Sequence, residues 1–179
     1  EWVKATLEKI TKFYFQVYDR LYEEYKDSSG GSVYWIWGSG RTVKIQCDFS
    51  AMISPEMYAE FMLPVLRGMA PRFDCCLYHW DGPGAEGHLE HILSVDDIDM
   101  IQWTPGDGHE PLWDKRWWSN YHRILEAGKN ICLLDLPAGN LEALRSLQRE
   151  FGQGFKRFFL STHAKSKYEA EAFIQASEF

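Results

Sequence analysis

No apolar run in the sequence approaches the ~20 residues that a helix needs to cross a bilayer. No cluster of Lys and Arg is present either, and the net charge is −7. Phosphate recognition needs concentrated positive charge, so neither a membrane nor a nucleic acid is an expected partner. A secretory signal is missing: the chain begins at Glu1, not Met, and opens directly on an amphipathic pattern. That beginning suggests a fragment or a processed chain. Cysteine is scarce. Cys47, Cys75, Cys76 and Cys132 make no C-x-x-C metal pair, and vicinal Cys75-Cys76 is no disulfide framework. Reduced, mostly buried thiols of a cytoplasmic protein are expected. The glycine fingerprint of a dinucleotide fold is also absent, as are internal repeats and low-complexity linkers.

What is present is apolar and aromatic. Of 179 residues, 45% are hydrophobic and 16% aromatic, with eight Trp, enough for one folded domain with a real core. Residues 1–26 predict a long helix with Val3, Leu7, Ile10, Tyr14, Val17 and Leu21 on one face, widened by Phe13 and Tyr18. Ser28 to Gly31 end it. Extended segments are expected at 33–37, 43–47, 75–79, 98–103, 131–135 and 155–160. Between them lie helices. One starts at Ser54-Pro55-Glu56, with a kink expected at Pro64. Another carries Trp113, Trp117, Tyr121 and Leu125, and a third is capped by Asn140. Ser166 and Glu169 fit a capping box for the last helix. His88 and His91, three apart on a helix, have a spacing that can bind metal, but a solvated helix face is the expected reading.

Strands alternating with helices indicate parallel β/α units, about four or five of them. A closed eight-stranded barrel usually needs at least ~200 residues. The expected fold is therefore α/β, an incomplete (β/α)8 barrel formed as a single domain over 1–179. The long helix and turn fill 1–30, and β/α units fill 31–179.

Residues 47–64 read C-D-F-S-A-M-I-S-P-E-M-Y-A-E-F-M-L-P. This string resembles the D-x-x-x-x-x-S-P-E-x-(Y/F)-x-E-F-x-L-P segment of the uroporphyrinogen decarboxylase superfamily, which joins a barrel strand to its helix. A later Tyr78-His79-Trp80-Asp81-Gly82 and a final Ser161-Thr162-His163 agree in order and spacing over roughly residues 40–175. The nearest branch looks like the corrinoid-linked methyltransferases of methylamine (trimethylamine-type) metabolism. The resemblance implies the C-terminal part of the barrel, so the chain alone is expected to be inactive.

In the thiol-using members a strand ends H-x-C-G, and a later Cys completes a zinc site. Here His79 matches the His, Asp81 stands at the first Cys, Gly82 matches the Gly, and His163 falls near the last Cys. The resemblance thus implies a divalent metal on His79, Asp81 and His163, zinc foremost and iron as the alternative. Without thiolates the ion is harder and more electrophilic, and coenzyme-M-type chemistry is not implied.

Chemistry in such barrels sits where strands end. Asp48, Asp107 and Asp135 are the candidate catalytic carboxylates. Asp48 could instead cap the turn before Ser54, Asp107 and His109 share a glycine-rich loop that fits a plain turn, and Asp135 closes an apolar strand where it could face the mouth. Trp80, Trp103 and His109 are the candidate substrate contacts, with core packing the alternative for both Trp. The implied activity is methyl transfer between a corrinoid, free or on a partner protein, and a small acceptor. Two alternatives stand beside it. One is metal-free decarboxylation of a porphyrinogen, whose key residues would lie in the missing half; its late Gly-His-Gly turn is only partly matched around His163. The other is a non-catalytic corrinoid-binding partner, against which the absence of a D-x-H-x-x-G cobalamin motif counts. An incomplete barrel also leaves raw edges at its first and last strands, so a further partner is expected: the N-terminal barrel half or a second copy. The stripe on the first helix is the expected cover for the apolar residues so exposed.

Overall fold

The computed structural model describes residues 1–178. Its centre is a five-stranded parallel sheet in the order β3 (Thr42–Gln46), β4 (Cys75–Asp81), β5 (Met100–Thr104), β6 (Asn130–Pro137) and β7 (Phe158–His163). Sequential order in a parallel sheet requires a crossover after every strand. These are α2 (Pro55–Met69), the short α3 (Leu89–Leu93), α4 (Trp118–Glu126) and α5 (Leu141–Phe151). The α/β class is thereby shown. The central residues of β4, β5 and β6 are buried on successive positions, as expected of parallel strands covered on both faces. No helix is long and apolar enough to cross a membrane among the described residues.

Local signals act where the sequence places them. Ser54 caps α2 by accepting from the Met57 amide, Asn140 caps α5 through Ala143, and Ser166 caps α6 (Lys167–Ser177) through Glu169. Glu169 in turn accepts from the Lys165 amide, a variant of the capping box. Helix α2 runs unbroken through Pro64.

The chain forms two compact units, residues 1–79 with 84–99 and residues 80–83 with 100–179, with β4 passing from one to the other. In the first unit α1 (Trp2–Tyr25) buries Phe15 and Tyr18, while Val3, Ile10, Val17 and Leu21 of the expected stripe stay exposed. Phe15 and Tyr18 pack on Phe73, and the Tyr18 hydroxyl donates to Thr42 O at 2.8 Å. Arg41 and Arg72 bind Asp19 and lie over the rings of Tyr18 and Phe15. The helix has two apolar faces, roughly 100° apart at 3.6 residues per turn. The aromatic face won because it combines ring packing with a hydrogen bond and cation–π contacts.

The segment expected as one strand at 33–37 is instead an antiparallel hairpin, β1 (Ser32–Tyr34) with β2 (Ile36–Gly38), folded about Trp35 alone. Its base is tied by Asp27, whose carboxylate accepts from Ser29 N and Oγ, Gly31 N and the Trp37 indole N–H. These bonds, the Ser29 hydroxyl first, hold the carboxyl at about 2. A depressed carboxylate stabilises the fold above its unfolded value, ~3.9, and loses that contribution as pH falls toward its folded value. The Trp37 indole N–H resonance in an NMR titration should therefore hold steady to about pH 3 and shift only as pH nears 2. A midpoint near 4 would show that the ties are not made.

Candidate metal centre at the ends of two parallel strands

β3 and β4 lie side by side, with Gln46 opposite His79. Just beyond Gln46 the chain turns into a 3-10 segment that begins at Asp48. Two residues beyond His79, still within β4, comes Asp81. Asp48, His79 and Asp81 each offer a ligand atom, and these atoms all lie within 4.8 Å of one another. Ligand atoms around an ion with ~2 Å bonds are about 3–4 Å apart, so modest side-chain rotation would close the group. Asp48 is exposed, while His79 and Asp81 are half-buried. The donor set, one imidazole and two carboxylates, suits zinc or iron(II) and lacks a soft ligand.

Neighbouring residues hold Asp48 in place. Gln46 Nε2 donates to both Asp48 oxygens, at 3.0 and 2.9 Å, and Lys44 donates to Gln46 Oε1. Such outer partners fix the orientation of a ligating carboxylate. Burial drives the Lys44 ammonium below the ordinary Lys value, with Asp48 opposing the shift. Lys44 Nζ sits 3.8 Å from the centroid of the Trp35 ring, and the same indole meets His79 edge-on at 5.7 Å.

Trp35 has φ 69°, a conformation that an L side chain adopts only at a cost. A strained residue presenting half its indole beside His79 is a functional signal that periodicity could not reveal. Trp35→Gly should leave the unfolding free energy within about 1 kcal/mol of wild type, because relief of the backbone offsets the lost ring contacts. Trp35→Val should cost about 2 kcal/mol or more, since a β-branched residue resists positive φ. Urea unfolding compares the two, and equal costs would show that the backbone at Trp35 is unstrained.

The remaining candidates are not part of this group. His163 ends β7 and lines a cavity of about 320 Å³ with Pro137, Gly139, Asn140, Lys165 and Glu169. It is not among the three side chains brought together as potential ligands. Asp107 and His109 are exposed in a turn where Gly106 and Gly108 have positive φ. Asp135 is exposed on β6 at a register shift between Leu133 and Leu136, with φ 62°, a bulge that re-aims its side chain.

Trp80 and Trp103 form no exposed wall. Each is 1% exposed, their centroids are 4.3 Å apart, and Trp117 continues the stack at 5.0 Å from Trp103. Packing accounts for both, which corrects their reading as substrate contacts. The expectation for His88 is also overturned. It is buried, its Nε2 lies 2.8 Å from Ser50 O, and its ring stacks on Tyr58 at 4.5 Å. Tyr58 bonds Tyr78 through their hydroxyls at 2.7 Å, and burial raises the pKa of both. His88 thus braces the 3-10 segment behind Asp48 from within the core.

No family model, curated protein or solved structure matches the chain.

Proposed function

We propose that the chain is the C-terminal part of a (β/α)8 barrel of the uroporphyrinogen decarboxylase type. In this reading it transfers a methyl group between a corrinoid and a small acceptor, with a divalent metal held by Asp48, His79 and Asp81. One observation carries the reading: three potential ligands meet at the C-terminal ends of adjacent parallel strands, where barrel enzymes place their chemistry. The resemblance of residues 47–64 and 78–82 supplies the reaction class. A bound metal would supply Lewis acidity, lowering the pKa of an acceptor N–H or S–H so that its lone pair can attack the methyl carbon. Transfer would leave the cobalt–carbon electron pair on the corrinoid and release the acceptor proton to solvent.

The residues of the chain have separate tasks. Asp48 and Asp81 contribute negative charge, His79 a neutral donor, and Gln46 keeps Asp48 aimed. Trp35 narrows the approach to His79. The assay uses the chain within its complete reading frame, zinc, methylcobalamin and a small thiol or amine. Corrinoid absorbance and the mass of the acceptor report transfer. Acceptor-dependent transfer that falls to background in His79→Ala is expected. Transfer at the same rate in His79→Ala would contradict the proposal.

A further inference from the structure

Helix α1 keeps one of its apolar faces in water. Val3, Ile10, Phe13, Val17 and Leu21 are 41–64% exposed. At 3.6 residues per turn they form one line along a helix of 24 residues. A line of exposed apolar side chains, unlike scattered single ones, is the kind of surface that a partner covers.

The charges on the same helix say what fits. Residues 2–13 hold Lys4, Lys9 and Lys12 against Glu8, a net of +2. Residues 14–25 hold Asp19, Glu23 and Glu24 against Arg20, a net of −2. A helix by itself favours the opposite order, acid at its start and base at its end. Here the first turn has no acid and the last no base. Stability of the lone helix therefore does not explain the pattern. Some of these charges are used within the chain, Lys4 with Glu60, Asp19 with Arg41 and Arg72, and Glu23 with Lys26. Lys9, at the edge of the exposed stripe, and Glu24, on its line beyond Leu21, have no ion pair among the described residues.

We propose that α1 docks on α1 of a second copy, antiparallel, about a two-fold axis near Phe13 and Val17. That arrangement sets the basic half of each helix beside the acidic half of the other and opposes their dipoles. It is also self-complementary, as a two-fold interface must be. A parallel pair would set lysine beside lysine and acid beside acid. The apolar stripe supplies the buried centre, and Lys9 and Glu24 supply the rim that fixes direction.

Sedimentation equilibrium at micromolar concentration tests the pairing. A mass twice the 20.9 kDa of the chain is expected, with association weakening as salt rises. Ile10→Glu with Val17→Glu should raise the dissociation constant about a hundredfold or more. Both sites are exposed, so the far-ultraviolet circular dichroism should not change. Lys9→Glu alone should weaken pairing, and adding Glu24→Lys should restore it. A monomer at tens of micromolar, or association untouched by the double glutamate variant, would overturn the proposal. Failure of the charge swap to restore pairing would overturn the antiparallel direction.

Discussion

Trp103→Ala is expected to destabilise the protein by about 3–5 kcal/mol, as large aromatic truncations in packed cores do. Trp103 is 1% exposed and stands between Trp80 and Trp117, so its removal opens a cavity with rings on two sides. In a chain of this length that cost lowers the melting temperature by roughly 10 °C or more. Trp103→Phe offers an internal contrast. The indole Nε1 of Trp103 is buried without a hydrogen-bond partner among the described residues. An unpaired buried donor costs about 1–3 kcal/mol, which phenylalanine would recover. The Phe variant should therefore lose much less than the Ala variant, by thermal and urea unfolding. Comparable losses would mean that the stack contributes little through packing.

His79→Ala is expected to lower zinc affinity by about a hundredfold or more. It removes the nitrogen donor and leaves two carboxylates, one of them exposed, that hold zinc weakly without it. Gln46→Ala should lower affinity by about tenfold, because Gln46 orients Asp48 without touching the metal. His163→Ala should change nothing, since His163 is not among the side chains whose ligand atoms come together. Competition titration against a colorimetric chelator ranks the three variants. An affinity loss for His163→Ala equal to that for His79→Ala would restore the ligand set that the resemblance implies.

Much of the fold was legible because its signals are local. Ser54, Asn140 and Ser166 cap the helices they precede, and β/α alternation required a parallel sheet. The misreadings share a physical origin in tertiary choice. Periodicity found an apolar stripe on α1 but could not tell which of two apolar faces turns inward. Phe15 and Tyr18 settle it through partners distant in sequence, Phe73, Arg41 and Arg72. The hairpin at residues 32–38 was hidden because its turn is a tryptophan with positive φ, where turn rules look for glycine or asparagine.

The site divided in the same way. His79 and Asp81 were singled out by the resemblance of residues 78–82 and by their place at a strand end. The coming together of Asp48 with them depends on β3 pairing with β4 in register, which no local pattern encodes. Trp80 and Trp103 could be read as wall or core, and only their mutual stacking decides for the core. His88 looked solvated beside His91, yet Ser50 O and Tyr58 give it a buried place.

The proposed metal centre has one imidazole and two carboxylates at the ends of β3 and β4. X-ray absorption spectroscopy of the zinc-loaded protein tests it most directly. A first shell of nitrogen and oxygen at about 2.0–2.2 Å is expected, with the multiple scattering of a single imidazole that is lost in His79→Ala. Sulfur scattering at about 2.3 Å, or a spectrum with two imidazoles, would contradict it.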